Sequence, residues 1–188
     1  MNQFSLEYPE YHIANLLQKE FSKTENFSLS IPLSRQQKYF DLLLHNSNNR
    51  KSATIQVKSS RTYIHSETKK KKQDDYHYNA WLNNFKTVNS HTDFYFFFIS
   101  FPLFDSKTFR PKTGFGVKLL VFENSEMKSL FSNIRKTKNG NPDFFFGFGF
   151  NINEEKILGT RGFIQTPKKE FKNNLFEHKI ASIKKLIV

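Results

Sequence analysis

Apolar and polar positions recur along this chain with two different periods, and the changes of period mark its elements. In residues 8–21, Ile13, Ala14, Leu17 and Phe21 fall on one stripe at 100° per residue, and Pro9 suits a first helical turn. An amphipathic helix is predicted there. Glu10 lies at the centre of its apolar arc, where a carboxylate is costly unless it meets a metal or a partner. Residues 27–31 alternate as a short strand. Two longer period-2 runs, 39–45 and 52–59, flank the polar stretch 46–51 and predict a β-hairpin. With the turn centred between Asn48 and Asn49, opposite residues have numbers summing to 97. Phe40, Leu42 and Leu44 then face Val57, Ile55 and Ala53 on an apolar side, while Asp41 faces Gln56 on the other. Lys58 shares the Gln56 side, because strand side chains repeat every second residue.

Residues 61–78 carry Arg61, the run Lys69, Lys70, Lys71, Lys72, and then Asp74 and Asp75, with no apolar period; an exposed loop or fraying helix is predicted. Trp81, Leu82 and Phe85 predict a short helix. The aromatic run 93–101 reads as a strand buried on both faces. Residues 116–122 predict another strand, and 125–134 a helix with Ser125 as its N-cap. In the strand predicted over 144–152, Gly147 and Gly149 mark a bulge or a close approach of another backbone. Finally, Phe176, Ile180, Ile183 and Ile187 stand at helical spacing in 175–187. The Phe-rich strands also fit a stacking platform for single-stranded nucleic acid. Because their runs of three cannot all face one side, core packing is the expected use. This order predicts an α/β (α+β) layered domain with a mixed central sheet flanked by helices.

Composition narrows the classes. A length of 188 residues corresponds to one domain at roughly 150 per domain, and no internal repeat or long linker divides it. With 23 Phe, the share of large aliphatic and aromatic residues is well above the roughly 20% below which chains fail to fold. No stretch of about 18 apolar residues and no leader pattern occurs, so a cytoplasmic protein without membrane contact is expected. The absence of Cys excludes disulfides, thiol nucleophiles and Cys-based zinc sites. A formal net charge of +12 is the footprint of a polyanion binder.

The residues with chemistry are Asp41, Gln56-x-Lys58 across the hairpin from it, and Glu10 on the preceding helix. Mg²⁺ takes hard oxygen ligands, and a rigid hairpin holds a carboxylate and an amide oxygen one strand spacing apart. A neighbouring Lys58 is suited to orient water or to neutralise charge on a phosphoryl group. The structural alternative for Asp41 and Lys58 is an exposed cross-strand ion pair.

On these residues the sequence resembles the PD-(D/E)XK nuclease superfamily. Tyr39-Phe-Asp-Leu-Leu-Leu44 and Ile55-Gln-Val-Lys-Ser59 look like its two metal-site strands, and Pro9-Glu-Tyr11 looks like its helix-borne acidic motif. Tyr-Phe stands where the name-giving Pro would precede Asp41, and Gln56 replaces the usual acid. The resemblance covers residues 8–60 and implies a restriction-endonuclease-like fold and a single nuclease domain over 1–188. It also implies Mg²⁺-dependent cleavage of DNA phosphodiesters, with Mn²⁺ as a substitute. The implied metal ligands are Asp41, Gln56 and Glu10, with Lys58 as the catalytic group that positions or activates the attacking water. A small restriction or defence enzyme, working as a homodimer to cut two strands, is the implied context; a repair or junction-resolving nuclease is the alternative.

Basic residues outside the motif supply the DNA contacts in this reading: Arg61, Lys69 to Lys72, Arg110 and Lys112, within the clusters 61–72, 107–118 and 156–172. Two other classes remain, a non-catalytic nucleic-acid binder that lost its metal through Gln56, and an interaction or dimerisation role for the helix 175–187. Zinc pairs among the six His, a phosphate-binding glycine loop and a Gly-x-Ser-x-Gly elbow are all missing.

Overall fold

The computed structural model describes residues 8–32, 39–64, 76–82, 88–104, 111–152, 154–163 and 169–188. Its elements are α1 (Tyr8–Glu20), β1 (Phe27–Ser30), β2 (Leu42–Asn46), β3 (Lys51–Ile64), β4 (Tyr78–Leu82), β5 (Phe94–Phe104), β6 (Pro111–Glu123), α2 (Asn124–Ser132), β7 (Phe146–Phe150), β8 (Ile157–Arg161) and α3 (Phe176–Ile187). The architecture is mixed α+β.

A five-stranded mixed sheet runs β1-β2-β3-β5-β6. All its neighbours are antiparallel except β3 and β5, which are parallel. The hairpin register is the one parity predicts, with Leu42↔Ile55 and Leu44↔Ala53. The long strand β3 leaves this sheet at its C-terminal end and starts a second, antiparallel one, in the order β3-β4-β7-β8. Among the described residues no helix is long and apolar enough to cross a membrane.

Strand β5 explains the aromatic run. Phe94, Phe96 and Phe98 face α1 and α3 together with Leu42, Ala53 and Ile55, while Tyr95, Phe97 and Ile99 face the second sheet and α2. Both faces are covered, so no polar alternation is needed. Between the sheets, Phe148 lies among Phe97, Phe122, Phe163 and Phe171, with ring centroids 5.2–6.2 Å apart. Core packing is thus what most of the phenylalanines do.

Three local expectations are corrected. The segment predicted as loop or helix after Ser60 continues as strand to Ile64, and Tyr78–Leu82 is a strand instead of a helix. In both, long-range pairing decides: Arg61 pairs with Trp81, Ile64 with Tyr78, and β4 also with β7. Helix α2 is capped by Glu123, which forms a reciprocal capping box with Glu126, so Ser125 sits inside the first turn. Strand β8 is an addition that its five residues were too few to announce by period. Helix α3 spends its apolar stripe on the first sheet, burying Phe176, Ile183 and Ile187. Lys179, buried beside them, reaches Glu126 Oε1 at 2.6 Å and Glu123 Oε1 at 3.3 Å.

Candidate active site

Asp41 sits one residue before β2, where the chain is leaving the ladder. Its amide donates to Ile55 O (2.8 Å), and its carboxylate Oδ2 accepts the Val57 N–H at 2.6 Å. The carboxylate thereby takes over a backbone donor lying beyond the last ladder pair, Leu42↔Ile55. This fixes it on β3, between the positions of Gln56 and Lys58.

Strand parity settles the faces. Val57 packs on the helix side, so Gln56 and Lys58 face the other way, beside their β5 neighbours Tyr95 and Phe97. Burial on that side pushes the Lys58 ammonium below its ordinary pKa, and the nearby negative charge of Asp41 partly restores it. Asp41 and Lys58 are thus within electrostatic reach of each other, and strand parity sets Gln56 on the Lys58 face of β3.

Glu10 is carried by α1, which packs on the first sheet. It is half-buried in the first turn of α1, one turn ahead of buried Ile13 and Ala14. Tyr8 and His12, on either side of it in sequence, stack edge-on against Phe98 at 5.8 and 5.3 Å, and Phe98 is the register partner of Ser59. Glu10 lies on the opposite side of α1 from Tyr8 and His12, on the stripe of Ile13, Ala14 and Leu17 that packs on the first sheet.

Among the described residues no group of three or more His, Cys, Asp or Glu stands together. A cation here would be held by the Asp41 carboxylate and the Gln56 amide oxygen, completed by water and substrate oxygens. Mg²⁺ is commonly bound in this way, by one or two carboxylates with waters and phosphate oxygens. The hard-oxygen donor set fits that ion.

The basic residues divide. Arg61 is placed in β3 as the register partner of Trp81, and Lys112 is exposed in β6. Lys69 to Lys72 and Arg110 lie outside the described residues. Several other basic residues of the clusters have structural partners: Lys118 Nζ donates to Glu154 O at 2.9 Å, Lys172 meets Glu155 at 2.6 Å, and Arg161 forks onto Asp143.

Sequence periodicity does not reveal a second basic group, Arg135, Lys136 and Lys138. These residues ride on a ribbon in which Lys136 bridges to Pro142 and Ile134 to Phe163, closed by a turn at Gly140 with φ +79°. The available signal is the Arg-Lys-x-Lys-Asn-Gly stretch, a basic turn between two apolar segments. Compared with known proteins, the chain matches no family model, no curated protein and no solved structure.

Proposed function

We propose that this protein is a Mg²⁺-dependent endonuclease that hydrolyses DNA phosphodiester bonds on a restriction-endonuclease-like core. One observation carries the reading: the Asp41 carboxylate is pinned by the Val57 N–H at 2.6 Å, across from Gln56 and within electrostatic reach of partly buried Lys58. An ordinary surface ion pair needs neither the backbone clamp nor the burial of its lysine. The core around the pair, a helix followed by an antiparallel hairpin whose second strand has a parallel neighbour, agrees with the layered fold the resemblance implies.

In this reading Asp41 and Gln56 hold the metal. Bound there, Mg²⁺ supplies charge neutralisation at the scissile phosphate. Lys58 positions the attacking water, and its ammonium form offsets charge growing on the phosphoryl oxygens. Water adds to phosphorus and one ester oxygen leaves with a proton, so one P–O bond forms and one breaks. Glu10, from the first turn of α1, is a further acidic ligand, direct or through water.

The test is incubation of wild type and Lys58→Met with supercoiled plasmid and a branched DNA junction, at low salt, in EDTA, Mg²⁺ or Mn²⁺. Metal-dependent nicking or linearisation by wild type alone is the expected result. Discrete fragments would place the enzyme in the restriction class, and preferential cutting of the junction in the repair class. Salt-sensitive binding without turnover in either metal would overturn the nuclease and leave a non-catalytic DNA binder.

A further inference from the structure

The outer face of the second sheet carries a feature the nuclease site does not use. In β4, Tyr78, Ala80 and Leu82 join the core, so Asn79 and Trp81 face outward. In β7, Phe146, Phe148 and Phe150 also point inward, which leaves Gly147 and Gly149 as the floor outside. That floor admits no side chain: a Cβ at Gly149 would lie 2.6 Å from the Tyr76 ring, and one at Gly147 would meet Thr160 Oγ1. A bulge where β7 meets β8, with Gly147 opposite Arg161 but Phe148 opposite Gly159, brings two consecutive residues to this face. Thr160 donates to Asn79 Oδ1 at 2.9 Å, and Arg161 lies over Trp81.

The result is a cleft of about 550 Å³ between this floor and the basic ribbon 134–143. Its size is in the range of about 300–1,000 Å³ that small ligands occupy. Among the described residues its one acid, Asp143, is neutralised by the Arg161 fork (3.1 and 3.4 Å), and that guanidinium is itself 4.5 Å from the Phe145 ring and 5.6 Å from the Trp81 ring. Along the rim stand exposed Arg135, Lys136 and Lys138. An indole 37% exposed in the same cleft as these cations combines the two elements of strand binding, an aromatic platform and a row of phosphate partners.

We propose that this cleft binds a single-stranded segment of nucleic acid, with a base against Trp81 and the flanking phosphates on Arg135, Lys136 and Lys138. A single strand is favoured over a duplex because a duplex keeps its bases in its own stack, and stacking on the exposed Trp81 ring needs an unpaired base. The inference does not require the Asp41–Lys58 site to be catalytic. The two are nevertheless close in the fold: the Trp81 carbonyl accepts the Ser60 hydroxyl at 2.9 Å, two residues after Lys58. A strand lying in the cleft would run toward β3.

Trp81 is the single Trp of the chain, so its fluorescence reports on the cleft alone. The experiment titrates full-length protein in EDTA with a short oligothymidylate, following Trp emission and, in parallel, the anisotropy of a labelled copy. Saturable quenching is expected, with log K falling against log salt with a slope of about 2 for three phosphate contacts. A Lys136→Glu, Lys138→Glu variant, altered only at exposed positions, should keep its far-UV spectrum and bind about tenfold or more weakly. Asp41→Asn should quench like wild type, so a failed nuclease reading leaves this result standing. Binding seen by anisotropy without quenching, or undiminished in the Lys136/Lys138 variant, would place the strand elsewhere. Equal quenching by duplex DNA or by polyglutamate would overturn the assignment to a single strand.

Discussion

Replacing Asp41 separates its structural role from its chemistry. Asp41→Ala deletes the acceptor of the 2.6 Å Val57 N–H bond and removes the charge that favours protonated Lys58. A charge-assisted hydrogen bond contributes about 1.5–3 kcal/mol, and the half-buried position of Asp41 puts this one near the lower end. Loss of the counter-charge from a partly buried ammonium adds to it. A total cost of about 2–3 kcal/mol is expected, equivalent to a fall in Tm of about 4–12 °C for a chain of this size. Asp41→Asn keeps an amide oxygen for Val57 and loses only the charge, so it should cost about 1 kcal/mol. Lys58→Met removes the desolvated ammonium, and in that background Asp41→Ala should be cheaper, with a coupling between the two sites of about 0.5–1 kcal/mol. The assay is urea unfolding followed by circular dichroism, in EDTA so that bound cations do not add to stability. Equal stability of wild type and Asp41→Ala, or identical costs for Ala and Asn, would refute the clamp on Val57.

Other consequences follow from the packing. Phe148→Ala should cost about 3–5 kcal/mol, since this fully buried ring meets four others; denaturant unfolding at unchanged m-value would measure it. Gly149→Ala should cost about 1–3 kcal/mol because the Tyr76 ring must move, whereas Gly140→Ala meets nothing within 4 Å and bears only the strain of positive φ, about 1 kcal/mol. Asn46→Ala removes the bond from buried Asn46 Nδ2 to Ile187 O (3.0 Å), and hydrogen exchange should show the last turn of α3 opening more often. The exposed Glu155 is held below its usual carboxylate range by Lys172 and His178, and Lys172 is raised by Glu155. Its stabilisation is therefore present above pH 4.5 and lost as pH falls through the lowered Glu155 value. The small stability difference between wild type and Lys172→Met should accordingly vanish in acid, and a difference persisting there would contradict the pairing.

How much of this was legible in the sequence depended on the range of the interactions involved. The β2–β3 register was readable because a short turn and two apolar faces leave one alignment that buries Leu42, Leu44, Ala53 and Ile55 together. The same parity put Asp41 across from Gln56. Strand β4 was misread as helix because Trp81 and Leu82 take their conformation from partners far away in sequence, in β3 and β7. Charge counting does not tell cations that have protein partners from cations that stand beside an aromatic ring. Lys118, Arg161 and Lys172 have protein partners, whereas Arg135, Lys136 and Lys138 gain meaning only once β7 and β8 place Trp81 beside their ribbon.

The central claim is that Asp41 and Gln56 hold the ion that cleavage needs. Its most direct test is a Mg²⁺ titration of plasmid cleavage by wild type, Asp41→Asn and Gln56→Glu at one protein concentration. Cleavage that saturates with Mg²⁺ in wild type, disappears in Asp41→Asn, and reaches half-maximum at lower Mg²⁺ in Gln56→Glu is the predicted result. Cleavage by Asp41→Asn with the Mg²⁺ dependence of wild type would contradict the account.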